Sequence, residues 1–193
     1  NAWLKRTRFA LDAITNGWNQ WVLGYTADRQ MRIMSQLMGP GISWRSIAVA
    51  LIGVTLAVVA LLAECGLPTG DLSASHLDAF RLVVADGRLV GVGGVEPAGD
   101  AGLLRSVAVL PGFRRRGLAR QLVADCEATA VERSIATLYL IPNDAAAEAV
   151  FSRCGYCRVE RSGVPDALRR LPEFTHLCPQ SHPCLRKSLV PGA

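Results

Sequence analysis

The stretch Val107-Ala108-Val109-Leu110-Pro111-Gly112-Phe113-Arg114-Arg115-Arg116-Gly117-Leu118-Ala119 holds the residues best suited to chemistry. Val107 to Val109 reads as the end of a strand, and Leu-Ala-x-x-Leu-Val from Leu118 reads as the start of an amphipathic helix. At such a junction free backbone N–H groups converge on one point, and the helix dipole adds partial positive charge there. A diphosphate fits that point. Gly117 lets the main chain come close to the ligand, and Arg114, Arg115, Arg116 and nearby Arg120 can make charge-assisted bonds to phosphate oxygens. The competing reading is an exposed basic turn ahead of an ordinary helix. The strand before it and the apolar helix after it weigh against that.

The elements that must hold this loop follow in a readable order. Arg81 to Ala85 reads as a strand, Asp86-Gly87 as a hairpin turn and Leu89 to Val95 as the returning strand. Leu103 to Val109 is a further strand, followed by the loop Pro111 to Arg116 and a helix from Gly117 to about Arg133. Thr137 to Ile141 is strand again, Pro142 ends it, and Asn143-Asp144 can cap a helix that runs to Arg153 and stops at Gly155. A last hairpin joins Cys157 to Arg161 with Cys184 to Leu189. The pattern is an α/β (α+β) domain, a mixed sheet with a few covering helices.

A chain of 193 residues has room for one ordinary domain and something smaller. Half the residues are apolar and 19% are charged, which excludes disorder. Residues 1–45 carry six Lys or Arg against two Asp, whereas residues 64–193 carry fifteen basic against fourteen acidic groups. The basic excess therefore belongs to the N-terminal arm and not to the domain, which argues against nucleic acid as a partner. Six cysteines (65, 126, 154, 157, 178 and 184) follow no secretory signal, and the single Cys154-x-x-Cys157 lacks the second pair of a four-thiolate zinc site. Reduced thiols are expected. The chain starts at Asn1 with no initiator Met, as a fragment would.

The arm has its own pattern. Leu11, Ile14, Trp18, Trp21, Val22 and Tyr25 fall on one face of a helix, and indole rings beside an apolar span tend to lie at headgroup level. A packing surface for a missing partner domain is the other reading. Ser46 to Ala63 holds 18 residues without a charge, about 27 Å of helix and near the lower limit for crossing a bilayer. The same residues also read as the end of the first helix of a soluble domain. Residues 1 to about 60, with WNQWVLGYTADRQ followed by SWR and an apolar helix, resemble the segment before the last membrane helix of transglutaminase-like membrane proteins. That family's Cys-His-Asp site would lie upstream of Asn1, so no such activity is carried over. Three parts are expected: an amphipathic arm (1–45), a hydrophobic, transmembrane-type helix (46–63) and a catalytic domain (64–193).

At Arg114, Gly117 and Ala119 the chain resembles the GCN5-related N-acetyltransferases (GNAT), whose acetyl-CoA loop reads Gln/Arg-x-x-Gly-x-Gly/Ala. The resemblance covers roughly Val58 to Leu189. Within it, LLAECGLPTGDL, LLRSVAVLP, LYLIP, FSRCGYCRVER and EFTHLCPQSHPCLRKSL are similar to the arsenic-resistance GNAT proteins of bacterial ars operons. The resemblance implies that Val107, Ala108 and Val109 meet the pantetheine arm of acetyl-CoA with main-chain groups. It further implies that Arg114, Arg115, Arg116, Gly117, Leu118 and Ala119 cradle the diphosphate with Arg120 nearby, and that Asn143 faces the acetyl-CoA, unless Asn143 is a plain helix cap.

Direct acetyl transfer needs a base for the amine, a donor for the oxyanion and an acid for the departing thiolate. Glu96, at the end of its strand before Pro97, is the candidate base, against a solvated hairpin Glu; the Val109 N–H is the oxyanion donor by family analogy. The position where many GNAT enzymes carry a Tyr is Phe151, which cannot donate a proton. Tyr156, on the following strand, is the remaining phenol, against its reading as a packed aromatic; otherwise the thiolate leaves unaided or through water. Arg105 and Ser106 are candidates to meet a substrate carboxylate. Cys178 and Cys184, with His176 and His182, invite a zinc or arsenite reading, set against a loop that shapes the amine pocket. No metal is assigned. The family's first strand is replaced here by membrane-type sequence.

The expected function is N-acetylation of a small-molecule amine, an amino acid or amino-bearing arsenical, in arsenic resistance. The alternative is a catalytically impaired acetyl-CoA- or arsenite-binding module in a membrane-anchored fusion. Six basic residues before the span favour a cytoplasmic N-terminus, whereas the transglutaminase-like resemblance places the arm outside. Use of acetyl-CoA requires a cytoplasmic catalytic domain, and the span would then anchor it at a bacterial inner membrane.

Overall fold

The computed structural model describes residues 44–72 and 79–190, with side chains from Ile52 onward. The aromatic stripe expected at Leu11 to Tyr25 lies outside the described residues. The chain divides into two units, Asn1–Thr55 and Leu56–Ala193. Of the first, only the opening turns of a helix are described; the packing below belongs to the second.

Helix α1 spans Trp44–Glu64. In its C-terminal part Val58, Leu61 and Leu62 are buried at 0–4% exposure. The helix ends where Leu67 N–H reaches back to the Leu62 carbonyl at 2.9 Å, with Gly66 in the left-handed region. Its last residues are core of the folded domain. Among the described residues no helix is long and apolar enough to cross a membrane. The reading of VALLAECGLP as the end of a domain helix is the one that fits.

The sheet has six strands: β1 Phe80–Ala85, β2 Arg88–Ala98, β3 Ala101–Val109, β4 Thr137–Leu140, β5 Cys157–Val159 and β6 Cys184–Ser188. Their order is β1-β2-β3-β4-β6-β5, antiparallel except for the β3–β4 pair. Asp86 and Gly87 both have positive φ (50° and 74°), the geometry of a tight two-residue hairpin. Strand β2 continues through Pro97 to a second hairpin at Gly99-Asp100, beyond the stop expected at Val95. The proline is tolerated because pairing with β1 ends at Phe80↔Gly94, so no rung is lost on that side.

Helix α2 (Leu118–Glu132) and helix α3 (Ala145–Arg153) lie on one face of the sheet. There Val123, Cys126 and Ala130 of α2 and Phe151 of α3 pack with Val95, Leu104, Leu138, Leu140 and Leu185. The other face buries Leu103 and Tyr139 with Val164, Leu168 and Phe174. Leu103 and Leu104 thus face opposite cores, as do Tyr139 and its neighbours Leu138 and Leu140, which follows from the two-residue period of a strand. The segment between β5 and β6 holds the short helix α4 (Asp166–Arg169) and a five-residue π-turn, Glu173–Leu177. Neither announces itself in the apolar pattern. Among the described residues no strand precedes β1 in the sheet.

Candidate active site

Beyond β3, Pro111–Phe113 forms one 3-10 turn, closed by Phe113 N–H to the Leu110 carbonyl at 2.9 Å. Arg114 Nε donates back to the Val109 carbonyl at 2.9 Å. Arg116 donates to the Gly112 carbonyl at 3.2 Å and lies 5.2 Å from the Phe113 ring centre. These two arginines brace the turn, and all four, Arg115 and Arg120 included, are exposed. Gly117 caps α2 at φ +81°, and a Cβ built there would meet nothing within 4 Å. The glycine is required by the backbone and not by crowding. The space beside it is open to a ligand, and the first N–H groups of α2 begin there.

Strands β3 and β4 pair over only three rungs, ending at Leu103↔Tyr139. Past that point they part, and a cavity of about 240 Å³ opens between them. Leu104, Arg105, Ser106 and Val107 line it from β3, and Leu140 to Asn143 from the end of β4. Opposite Gly93 of β2, strand β3 carries two residues, Ser106 and Val107, in a β-bulge with Ser106 at φ +56°. Asp144 is the cap of α3, its side chain accepting from Ala147 N–H at 2.7 Å. Asn143 is left free of that task and lines the cavity, as does Phe151.

Arg105 is 8% exposed and sits among carboxylates of the protein itself. It donates to Asp71, in the loop after α1, and to Glu96 of β2, and its Nη1 lies 2.8 Å from Glu173 Oε1. Glu96 stands mid-strand, opposite Leu103, and not at a strand end as expected; it is not among the cavity-lining residues. Glu173 does line the cavity, at 8% exposure. Its approach to Arg105 is not aligned as a hydrogen bond, so neither of its oxygens has one. Burial pushes the Glu173 carboxyl above the usual range, against the pull of Arg105. No sequence signal marks Glu173, because its partners come from three other segments and its own has no period.

Tyr156 is 2% exposed and packs edge-on against Phe151, ring centres 6.0 Å apart. It belongs to the core behind Phe151 and not to the cavity wall, and burial raises its pKa. All six cysteines are free thiols. Cys178 lies on the cavity wall and Cys184 is buried, its thiol pushed up to about 11 by burial. No group of three or more His, Cys, Asp or Glu suited to a metal occurs among the described residues. The loop that carries Cys178 and His182 is tied by Arg161, which donates to the Pro179 carbonyl at 2.9 Å and to the His182 carbonyl at 3.2 Å.

Residues 63–156 match the acetyltransferase (GNAT) family. No curated protein matches the chain. Among solved structures, Rv2747 from Mycobacterium tuberculosis in complex with CoA is similar at TM-score 0.57 and 18% identity, over 70% of this chain and 96% of that one. The N-acetylglutamate synthase of Neisseria gonorrhoeae, complexed with CoA and N-acetyl-glutamate, is similar at TM-score 0.59 and 19% identity, over 72% of this chain and a third (33%) of that longer one. A GNAT-family acetyltransferase from Staphylococcus aureus gives 0.56 and 14%, over 72% and 94%. At such identities the likeness is one of fold. The family match thus falls on residues 63–156, and the likeness in fold extends over about 70% of the chain.

Proposed function

We propose that the domain binds acetyl-CoA and transfers its acetyl group to the primary amine of a small molecule. The observation that carries this is the open turn at Gly117 set beside the parting of β3 and β4. The residues fit the carrier. Arg114, Arg115, Arg116, Gly117, Leu118 and Ala119 would hold its diphosphate with Arg120 at the rim, and Val107, Ala108 and Val109 would meet its arm with main-chain groups. Asn143 lies on the cavity wall within this arrangement. Bound acetyl-CoA supplies a thioester whose carbonyl carbon is open to attack by an amine.

The chain's own part is to orient the amine and take its proton. The carboxylates around Arg105, Glu96 among them, are the basic groups at the acceptor end. No phenol is needed as acid, since a thiolate leaves at near-neutral pH; Phe151 on the wall and Tyr156 in the core are consistent with that. An amino acid or amino-bearing arsenical in arsenic resistance is the acceptor that the narrower resemblance suggests. Use of acetyl-CoA puts the domain in the cytoplasm. Contact of the arm with a membrane rests on Trp18, Trp21 and Tyr25, and fractionation after deletion of residues 1–45 tests it.

Thiol release from acetyl-CoA, measured against a panel of amines, tests the transfer: turnover supports it. CoA binding without release on any amine would favour a second reading, a binding module without catalysis, for which Phe151 at the cavity is the supporting observation.

A further inference from the structure

Among the described residues four that are not glycine have φ in the left-handed region: Asp86, Ser106, Arg115 and Ser134. Three of them lie in turns, where that conformation is ordinary, whereas Ser106, at φ +56°, lies inside strand β3. The β-bulge accounts for the bend. It does not account for the residue, because a glycine holds a left-handed position without the strain that a side chain brings. What serine has and glycine lacks is a hydroxyl.

Ser106 is half-buried on the wall between β3 and β4, and of the residues lining that cavity it alone carries a hydroxyl. Among the described residues no hydrogen bond is made to it. The groups around it are engaged. Arg105 donates to Asp71 and Glu96, and Val107 packs against the core beneath α2 and α3. The Val109 carbonyl receives Arg114 Nε at 2.9 Å and the Cys65 thiol at 3.7 Å. Phe151, on the same wall, has no proton to give, and the Tyr156 phenol is buried in the core behind it.

A carrier held by its diphosphate at Gly117, with its arm laid along Val109 and then Val107, brings its thioester level with the next residue of the strand, Ser106. Resting on the acetyl-transfer reading above, we propose that the Ser106 hydroxyl donates a hydrogen bond to the thioester sulfur and holds the thiolate as it departs. In the transfer a nitrogen–carbon bond forms, the carbon–sulfur bond breaks and sulfur keeps that electron pair. The amine's proton passes to the basic groups of the acceptor end, as above, and Ser106 keeps its own. Such a bond is weak to a neutral sulfur and much stronger to a charged one, so it acts on the rate and not on the affinity. The sulfur, and not a substrate carboxylate, is then the partner of Ser106.

The test is an ultraviolet titration of the thiolate band of CoA bound to the full chain, for the wild type, Ser106→Gly and Ser106→Ala. Glycine removes the hydroxyl and relieves the backbone, whereas alanine removes the hydroxyl and keeps the strain. In the wild type the bound thiol should titrate about one pH unit lower than in either variant, the effect of one hydrogen bond to a charged acceptor. Arg105, Glu173, Cys178 and His182 line the same cavity in all three proteins, so the difference reads the hydroxyl. Calorimetric affinity for CoA should stay within about twofold, and kcat for thiol release with an active amine should fall about tenfold with KM unchanged. In thermal melting Ser106→Gly should be at least as stable as the wild type. Equal titration in the wild type and Ser106→Gly, the result if the hydroxyl faces the acceptor instead, overturns the inference. So does loss of CoA binding in Ser106→Gly, or a fall in kcat that follows the melting temperature and not the hydroxyl. The glycine variant carries the comparison even if the alanine variant fails to fold. No CoA binding by the wild type would instead overturn the acetyl-transfer reading, and this inference with it.

Discussion

At the turn between β3 and α2 the side chains of Arg114 and Arg116 hold the carbonyls of Val109 and Gly112, so the proposed diphosphate site would be made of main-chain donors. At the proposed acceptor end Asp71, Glu96, Arg105 and Glu173 arrive from a loop, two strands and a π-turn, and what they form is a cluster of paired side chains. A site of the first kind depends on local geometry and tolerates change in its side chains. One of the second kind depends on charge balance in a low-dielectric place, where losing a single member exposes the others.

The sharpest way to break this contrast is Arg105→Ala. Removing the buried guanidinium leaves three carboxylates without a counter-charge, and a loss of about 3–5 kcal/mol in stability is expected at neutral pH, read by chemical denaturation. If the loss were negligible, the cluster would be solvated and the contrast false. Next in size is Gly117→Val. A β-branched residue at φ +81° is strained by about 1–2 kcal/mol and fills the open side of the turn, so CoA affinity should fall about tenfold or more by calorimetry. Arg114→Glu should weaken CoA binding less, by a factor that shrinks as salt is raised. Asp144→Ala removes the α3 cap, costing about 1 kcal/mol and a few degrees in Tm, with CoA affinity unchanged.

The smallest effect is in pH dependence. Glu173's carboxyl titrates above its ordinary value in the folded protein, so the folded state holds a proton that the unfolded chain has released. Its contribution to stability is fully present below the ordinary carboxyl value and is lost as pH rises through the raised one. Glu173→Gln should flatten that part of the profile, measured by denaturation between acid and neutral pH.

The same contrast explains what the sequence discloses. A turn made of consecutive residues is written in consecutive letters. Asp86-Gly87 specifies its hairpin by two left-handed positions, and Arg114-x-x-Gly117 specifies a strand-to-helix junction. Asp144, next to Asn143, turns out to be the cap, a choice between neighbours that spacing alone leaves open. The acceptor cluster has no such spacing, since the fold alone brings its four residues together, and Glu173 lies in a stretch without periodicity. Pro97 misleads for a related reason: whether a proline ends a strand depends on whether a neighbour needs its missing N–H, and here pairing with β1 has already stopped. The apolar run before Glu64 is ambiguous in the same way, because a buried domain helix and a membrane helix carry the same letters.

Arg161 alone donates to Pro179, Gln180 and His182 and lies 5.8 Å from the centre of the Phe174 ring. Beyond the buried Phe174 the wall is tied mainly by this one residue, and a segment so held opens as a unit. The amides from Phe174 to His182 should exchange their hydrogens together, sooner than those of the sheet, and Arg161→Ala should hasten that group while leaving β2 and β3 as slow as before.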